Sequence, residues 1–168
     1  PINTIEAEPH VFNSKELNLD TLDFEDSMII CGNNQKDGLP EYIVKFSEHI
    51  NAPILADPTS GLRYQLEHEN IISNYNLFVD DLNVNPKTII RFGSKPTSKS
   101  LCKLISRHHN VTFIDRYSTF NDDSKNQIDV EPIKFIKTII ESTEPIQKNK
   151  LLELMITMQN KITMFINN

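Results

Sequence analysis

The chain has 168 residues, 38% of them hydrophobic and 24% charged, with a net charge of −6. That size and apolar content suit one globular domain, and the acidic balance gives no general attraction to a phosphate backbone, so nucleic-acid binding would need a local basic patch that the sequence does not display. No apolar run is long enough to span a bilayer, no stretch reads as a signal peptide, and Cys31 and Cys102 read as buried thiols of a reducing compartment, so the expected location is the cytoplasm.

Pro1 to Ser27 is polar and acidic with scattered apolar residues, which predicts a linker laid over a domain surface across residues 1–27. Met28-Ile29-Ile30-Cys31 reads as the first strand. After Gly32 and the turn Asp37-Gly38-Leu39-Pro40, a helix follows with Tyr42, Ile43, Phe46 and Ile50 on its inner face. Pro53-Ile54-Leu55-Ala56 is a second strand, and a helix is expected over Ser73 to Leu82. Thr88 to Phe92 is a third strand, stopped by Gly93, and leads into a helix capped by Thr97 or Ser98 with Leu101, Leu104 and Ile105 at helical spacing. Val111 to Asp115 is a fourth strand, Gln127 to Glu131 a weak fifth, and Pro132 to Ser142 a helix.

From Gln147 to Asn168 an amphipathic pattern places Leu151, Leu154 or Met155, Met158, Ile162 and Phe165 on one face. This terminal helix, over residues 146–168, either packs on its own α/β domain, over 28–145, or connects it to a following one. Near-continuous apolar strands alternating with helices predict an α/β fold, Rossmann-like, in which a mostly parallel sheet is covered by helices on both faces to make a three-layer sandwich. In such sheets ligands bind at the carboxyl edge of the strands, and all four glycines fall in connections that build that edge.

The familiar chemistries are missing from those loops. Gly32 and Gly38 are separated by five residues and do not make a dinucleotide fingerprint or a phosphate loop, and no Cys-x-x-Cys, His-Glu-x-x-His or Gly-x-Ser-x-Gly occurs. His49 and His108-His109 sit at helix ends, where histidine complements the C-terminal dipole. Lys99 is the misplaced residue. A lysine in the first turn of a helix is unfavourable by roughly 0.3–1 kcal/mol unless an anion lies opposite, so it reads as either an anion contact or a solvated surface lysine. Arg63, Arg91, Lys95, Arg116 and Lys125 are the other cations of the same edge. Arg91, on a buried strand, must reach a carboxylate, a carbonyl or a ligand.

Gly38-Leu39-Pro40, Ala56-Asp57-Pro58-Thr59-Ser60-Gly61-Leu62-Arg63 and Arg91-Phe92-Gly93-Ser94-Lys95-Pro96-Thr97-Ser98-Lys99 together resemble the central domain of 2-succinyl-5-enolpyruvyl-6-hydroxy-3-cyclohexene-1-carboxylate (SEPHCHC) synthase. The resemblance covers roughly residues 28 to 115. It implies a DHS-like central domain of a three-domain, thiamine-diphosphate- and Mg²⁺-dependent transferase of menaquinone biosynthesis, which decarboxylates 2-oxoglutarate and adds the succinyl unit to isochorismate. The implied full-length protein is a dimer or tetramer whose flanking domains hold the cofactor. Neither the glutamate that activates the thiamine ring nor a Gly-Asp-Gly metal motif lies in these residues, so this stretch alone is expected to be inactive.

Carried over, Lys99 with Ser98 contacts substrate carboxylates, while Ser100 stands where some members have a second cation. The family also implies feedback by dihydroxynaphthoate at a cationic site of this domain, for which Lys99 and Lys125, then Arg63 and Arg91, are the candidates. The alternative is a stand-alone Rossmann-like module for an acidic or nucleotide ligand.

Overall fold

The computed structural model describes residues 10–13, 22–34, 36–82, 84–116, 124 and 126–166. The elements run β1 (His10–Asn13), β2 (Met28–Cys31), α1 (Leu39–Ile50), β3 (Ile54–Ala56), α2 (Leu62–Gln65), β4 (Ile71–Ile72), β5 (Ile89–Phe92), α3 (Lys99–Arg107), β6 (Val111–Asp115), β7 (Asn126–Asp129), α4 (Pro132–Ser142) and α5 (Lys150–Ile166). Every strand pairing is parallel, and the sheet order is β1-β7-β6-β5-β2-β3-β4. Setting aside β1, the remaining six strands follow the doubly wound order 3-2-1-4-5-6, whose reversal of direction falls between β2 and β5.

Alternation along the buried strands divides the interior into two cores. Ile29, Cys31, Ile54, Ile90 and Phe92 face α1 and α4, which contribute Leu39, Ile43, Phe46, Phe135, Ile136 and Ile139. Phe46 centres this layer, with its ring edge-on to Phe24 at 5.8 Å and to Phe92 and Phe135 at 6.0 Å. Met28, Ile30, Leu55, Ile72 and Ile89 face the opposite way, onto Leu101 and Leu104 of α3, Met155 of α5 and the segment from Tyr75 to Val84. The three-layer α/β sandwich expected from the sequence is therefore the observed fold.

Several local expectations differ from the structure. The helix expected over Ser73 to Leu82 is one 3-10 turn, Tyr75–Leu77, followed by further turns. The backbone N–H groups of Ser73 and Asn74 donate to Gln159 Oε1 of α5 at 2.7 and 3.3 Å, and Tyr75, Phe78, Val79 and Val84 all turn inward. Tertiary contacts thus override the helical spacing.

Glu131 is not the end of a strand: its carboxylate accepts from Ile133 N and Lys134 N and caps α4. Within residues 1–27, read as linker, His10–Asn13 runs parallel to β7 and adds a seventh strand. On α5 it is Met155, not Leu154, that is buried. Cys31 is buried as expected, whereas Cys102 is only half-buried, its thiol donating to Pro96 O at 3.2 Å.

At the reversal between β2 and β5 the two following loops are in backbone contact. Gly32 N donates to Phe92 O at 2.9 Å and Ser94 N to Asn33 O at 2.9 Å. A Cβ on Gly32 would lie 1.7 Å from Ser94 O, and one on Gly93, whose φ is +72°, would lie 2.5 Å from Asn33 O. Only glycine fits either place. Gly32→Ala should therefore lower unfolding stability by roughly 1–3 kcal/mol or more, since the clash is with backbone that cannot swing aside. A denaturant midpoint unchanged by the substitution would show that the loops separate without cost.

Candidate functional site

The carboxyl edge of β3 and β5 is assembled around Asp57. The apolar strand Ile54–Ala56 ends on this residue, which is fully buried, and Pro58-Thr59 turns the chain so that Thr59 donates back to Asp57 Oδ1 from its N–H at 3.0 Å and its hydroxyl at 2.7 Å. The same carboxylate reaches across to the other loop. Thr97 N donates to Asp57 Oδ2 at 2.8 Å, Thr97 Oγ1 at 2.9 Å and Ser98 N at 3.2 Å. Burial pushes the Asp57 carboxyl upward, but the bonds from Thr59, Thr97 and Ser98 outweigh it and hold the group below the usual carboxylate range.

Ser98 is the N-cap of α3, as one of the two expected caps. Its hydroxyl accepts from Leu101 N at 3.3 Å and donates to Asn76 Oδ1 at 2.7 Å. Lys99 follows as the first helical residue, exposed, with no carboxylate in ion-pair range among the described residues. The acid beside this turn is Asp80, which is taken up by Ser100 Oγ at 2.6 Å and Lys103 Nζ at 3.3 Å. The position that made Lys99 conspicuous in sequence is the one it occupies.

The remaining candidate cations divide between two places. Arg63 stands on α2, immediately after the Asp57 turn. Its Nε donates to Ala56 O at 2.6 Å, its guanidinium lies 5.3 Å from the Tyr75 ring centroid, and its Nη2 is buried without a hydrogen-bond partner. Arg91 is buried at 2% exposure on β5. Its Nη1 donates to Ser124 Oγ at 2.7 Å and its guanidinium stacks 5.1 Å from the Phe113 centroid. It lines a cavity of about 440 Å³ along the flank of α3, together with Lys95, Cys102, Lys103, His108 and His109, and neither Arg63 nor Lys99 is among that cavity's lining residues. So Arg63 and Lys99 sit on the two loops that Asp57 joins, and Arg91 faces a different space. Lys125 lies outside the described residues.

Sequence reasoning passed over Asp57, Tyr75 and Asn76. A signal for Asp57 existed, because an aspartate closing an apolar strand two residues before a threonine is the pattern of a side-chain-bonded turn. Tyr75 carried no comparable mark, since it fell at an apolar position of a helix that does not form. Among the described residues no group of three or more His, Cys, Asp or Glu could hold a metal ion, and no helix is long and apolar enough to cross a membrane.

No family model matches the chain. It is similar to curated 2-succinyl-5-enolpyruvyl-6-hydroxy-3-cyclohexene-1-carboxylate synthases. With that of Bacillus pumilus it is 35% identical over 102 residues, covering 56% of this chain and 18% of the relative. With that of Desulfitobacterium hafniense it is 30% identical over 118 residues, covering 66% and 21%. With that of Bacillus cytotoxicus it is 30% identical over 133 residues, covering 75% and 23%. The matched stretch thus spans about a fifth of each relative's length, and a stretch three quarters of this chain long includes both loops joined by Asp57, wherever it starts. The resemblance carried by those loops is upheld.

Because the Asp57 pKa is lowered in the folded chain, its stabilisation is complete above the unfolded carboxylate value and is lost as pH falls through the folded one. Stability to urea should be level above about pH 5 and fall below about pH 4. Asp57→Asn presents an amide to donors that need an acceptor, which costs on the order of 1–3 kcal/mol at neutral pH and flattens the acid limb. Equal midpoints for the two proteins at pH 7 would remove Asp57 from its bridging role.

Proposed function

From the homology with one segment of the SEPHCHC synthases, we propose that this chain is the central domain of such an enzyme, a carboligase of menaquinone biosynthesis. The full-length protein decarboxylates 2-oxoglutarate and adds the succinyl unit to isochorismate. The observation that carries this reading is the Asp57 cluster. It holds together the two sequence stretches through which the resemblance was drawn, and it leaves Lys99 exposed at the carboxyl edge of the sheet, with no ion-pair partner among the described residues.

Thiamine diphosphate and Mg²⁺ supply the carbanion chemistry of that reaction. The described residues do not fit them. Among these residues no group of three or more His, Cys, Asp or Glu could hold the metal, and Asn33 and Ser94 bond backbone to backbone at the point where a doubly wound domain would take a diphosphate. This supports the reading that the flanking domains of the full-length chain hold the cofactor and metal. This domain's part is positional: it packs against those domains and presents Lys99 Nζ and the first turn of α3, both positive, to the carboxylates of small acidic substrates. Feedback by dihydroxynaphthoate at the same edge is supported by Arg63, which stands on one of the two loops that Asp57 joins, with Lys99 on the other. Arg91 would act only through its own cavity.

In the full-length enzyme, Lys99→Ala removes a charge-assisted bond, so kcat/KM should fall on the order of ten- to a hundredfold. The melting temperature should hold or rise slightly, because the substitution removes a cation from a helix N-terminus. Wild-type kinetics in this variant would make Lys99 a surface lysine. The 168-residue chain by itself should give no saturable heat on titration with thiamine diphosphate and Mg²⁺; saturation would put the cofactor site in this domain.

A further inference from the structure

Helix α5 outruns the sheet it covers. Asn149 Nδ2 donates to Ser27 O at 3.0 Å, one residue before β2, so the helix begins at the amino edge. Further along, Gln159 Nε2 donates to Ile71 O at 2.9 Å and its Oε1 accepts from Ser73 N at 2.7 Å, so one side-chain amide pairs with the edge strand β4 as a neighbouring strand would. Thr163 Oγ1 then accepts from Asn74 Nδ2 at 3.5 Å. Asn74 follows β4, so by this turn the helix has reached the carboxyl edge.

The apolar stripe of α5 does not stop there. Met155 is buried, Met158 and Ile162 are partly buried on the same core, and the three- and four-residue spacing carries the stripe on to Phe165 and Ile166. Those two are 88% and 64% exposed. The bond from Asn74 joins to this end of the helix the turn that carries Leu77, itself 60% exposed. A stripe of the kind that is buried elsewhere along α5 thus continues past its own core, beside the turn whose Asn76 bonds the Ser98 cap of α3 at 2.7 Å.

We infer that the end of α5, with Leu77, seats a second folded domain of the same polypeptide, which takes the Phe165 ring into an apolar pocket. The exposed area selects the occupant. Three such side chains offer on the order of 400 Å², about half of what each partner brings to a stable interface between separate molecules. A second copy or a free protein would find too little to hold. A domain tethered in the same chain needs less, because the linkage keeps it at an effective concentration in the millimolar range. The relatives have the length for such a domain, since the matched stretch is about a fifth of each. The inference rests on the reading of the chain as one domain of such an enzyme, and it adds the surface and the orientation: a domain seated there stands at the carboxyl edge of the sheet.

The test is amide hydrogen exchange in the full-length enzyme, as wild type and as the double variant Phe165→Gln, Ile166→Gln, whose glutamines keep helix propensity, with carboligase turnover measured for both. The expected result is protection of the amides of residues 160–166 in the wild type and exchange on the order of tenfold faster in the variant, with residues 152–158 unchanged. Exchange at residues 160–166 as fast as a frayed helix end in the wild type, or equal protection in the variant, would overturn the inference. Protection that disappears on dilution would assign the surface to a second copy and overturn it as well. A wild-type enzyme without carboligase turnover would overturn the family reading instead, and the exchange pattern would still decide the docking.

Discussion

The carboxylate of Asp57 is the constraint on which the edge of this domain depends. Strands β3 and β5 are not neighbours, since β2 lies between them, so no ladder bond fixes the end of one relative to the other. One buried acid does that work, receiving donors from its own turn and from the loop that starts α3. Charge-assisted bonds of this kind are roughly twice as strong as neutral ones, and here they set where a helix begins. Everything proposed for Lys99, Ser98 and Arg63 follows from that placement.

A second constraint acts at the reversal between β2 and β5. In doubly wound domains the two loops there diverge and leave a crevice. Here two glycines let them touch, backbone to backbone. The fold keeps the doubly wound topology, while the proposed anion contact lies one strand over, on the two loops joined by Asp57. Layout and chemistry are separable, so the topology alone does not place a ligand.

The sheet was legible because buried parallel strands are written as apolar runs, and β2, β3, β5 and β6 are such runs bounded by glycine, proline or asparagine. The site was legible only in part. Lys99 and Ser98 could be found because helix termini have a strong local chemistry, whatever packs against them. Arg63 and Arg91 were found as cations, but their separation into two spaces depends on which face of the sheet each reaches, which no local pattern states. Tyr75 was hidden for the opposite reason. Its ring behaves as the hydrophobic residue it was read as, packed in the core between the sheet and α3. The two-residue strand β4 and the four-residue strand β1 are too short for periodicity to register, and both exist because a neighbouring strand offers them bonds.

The pairing of β1 with β7 also bears on the order in which the chain can assemble. His10 lies opposite Asn126, so this edge closes a loop of more than a hundred residues, whereas β2 to β6 each find a partner within a far shorter span. Contacts of such separation form late, after the entropy of closure has been met by the rest of the sheet. Within this sheet the strand earliest in sequence is therefore the last to dock, because its pairing partner Asn126–Asp129 comes after every other strand.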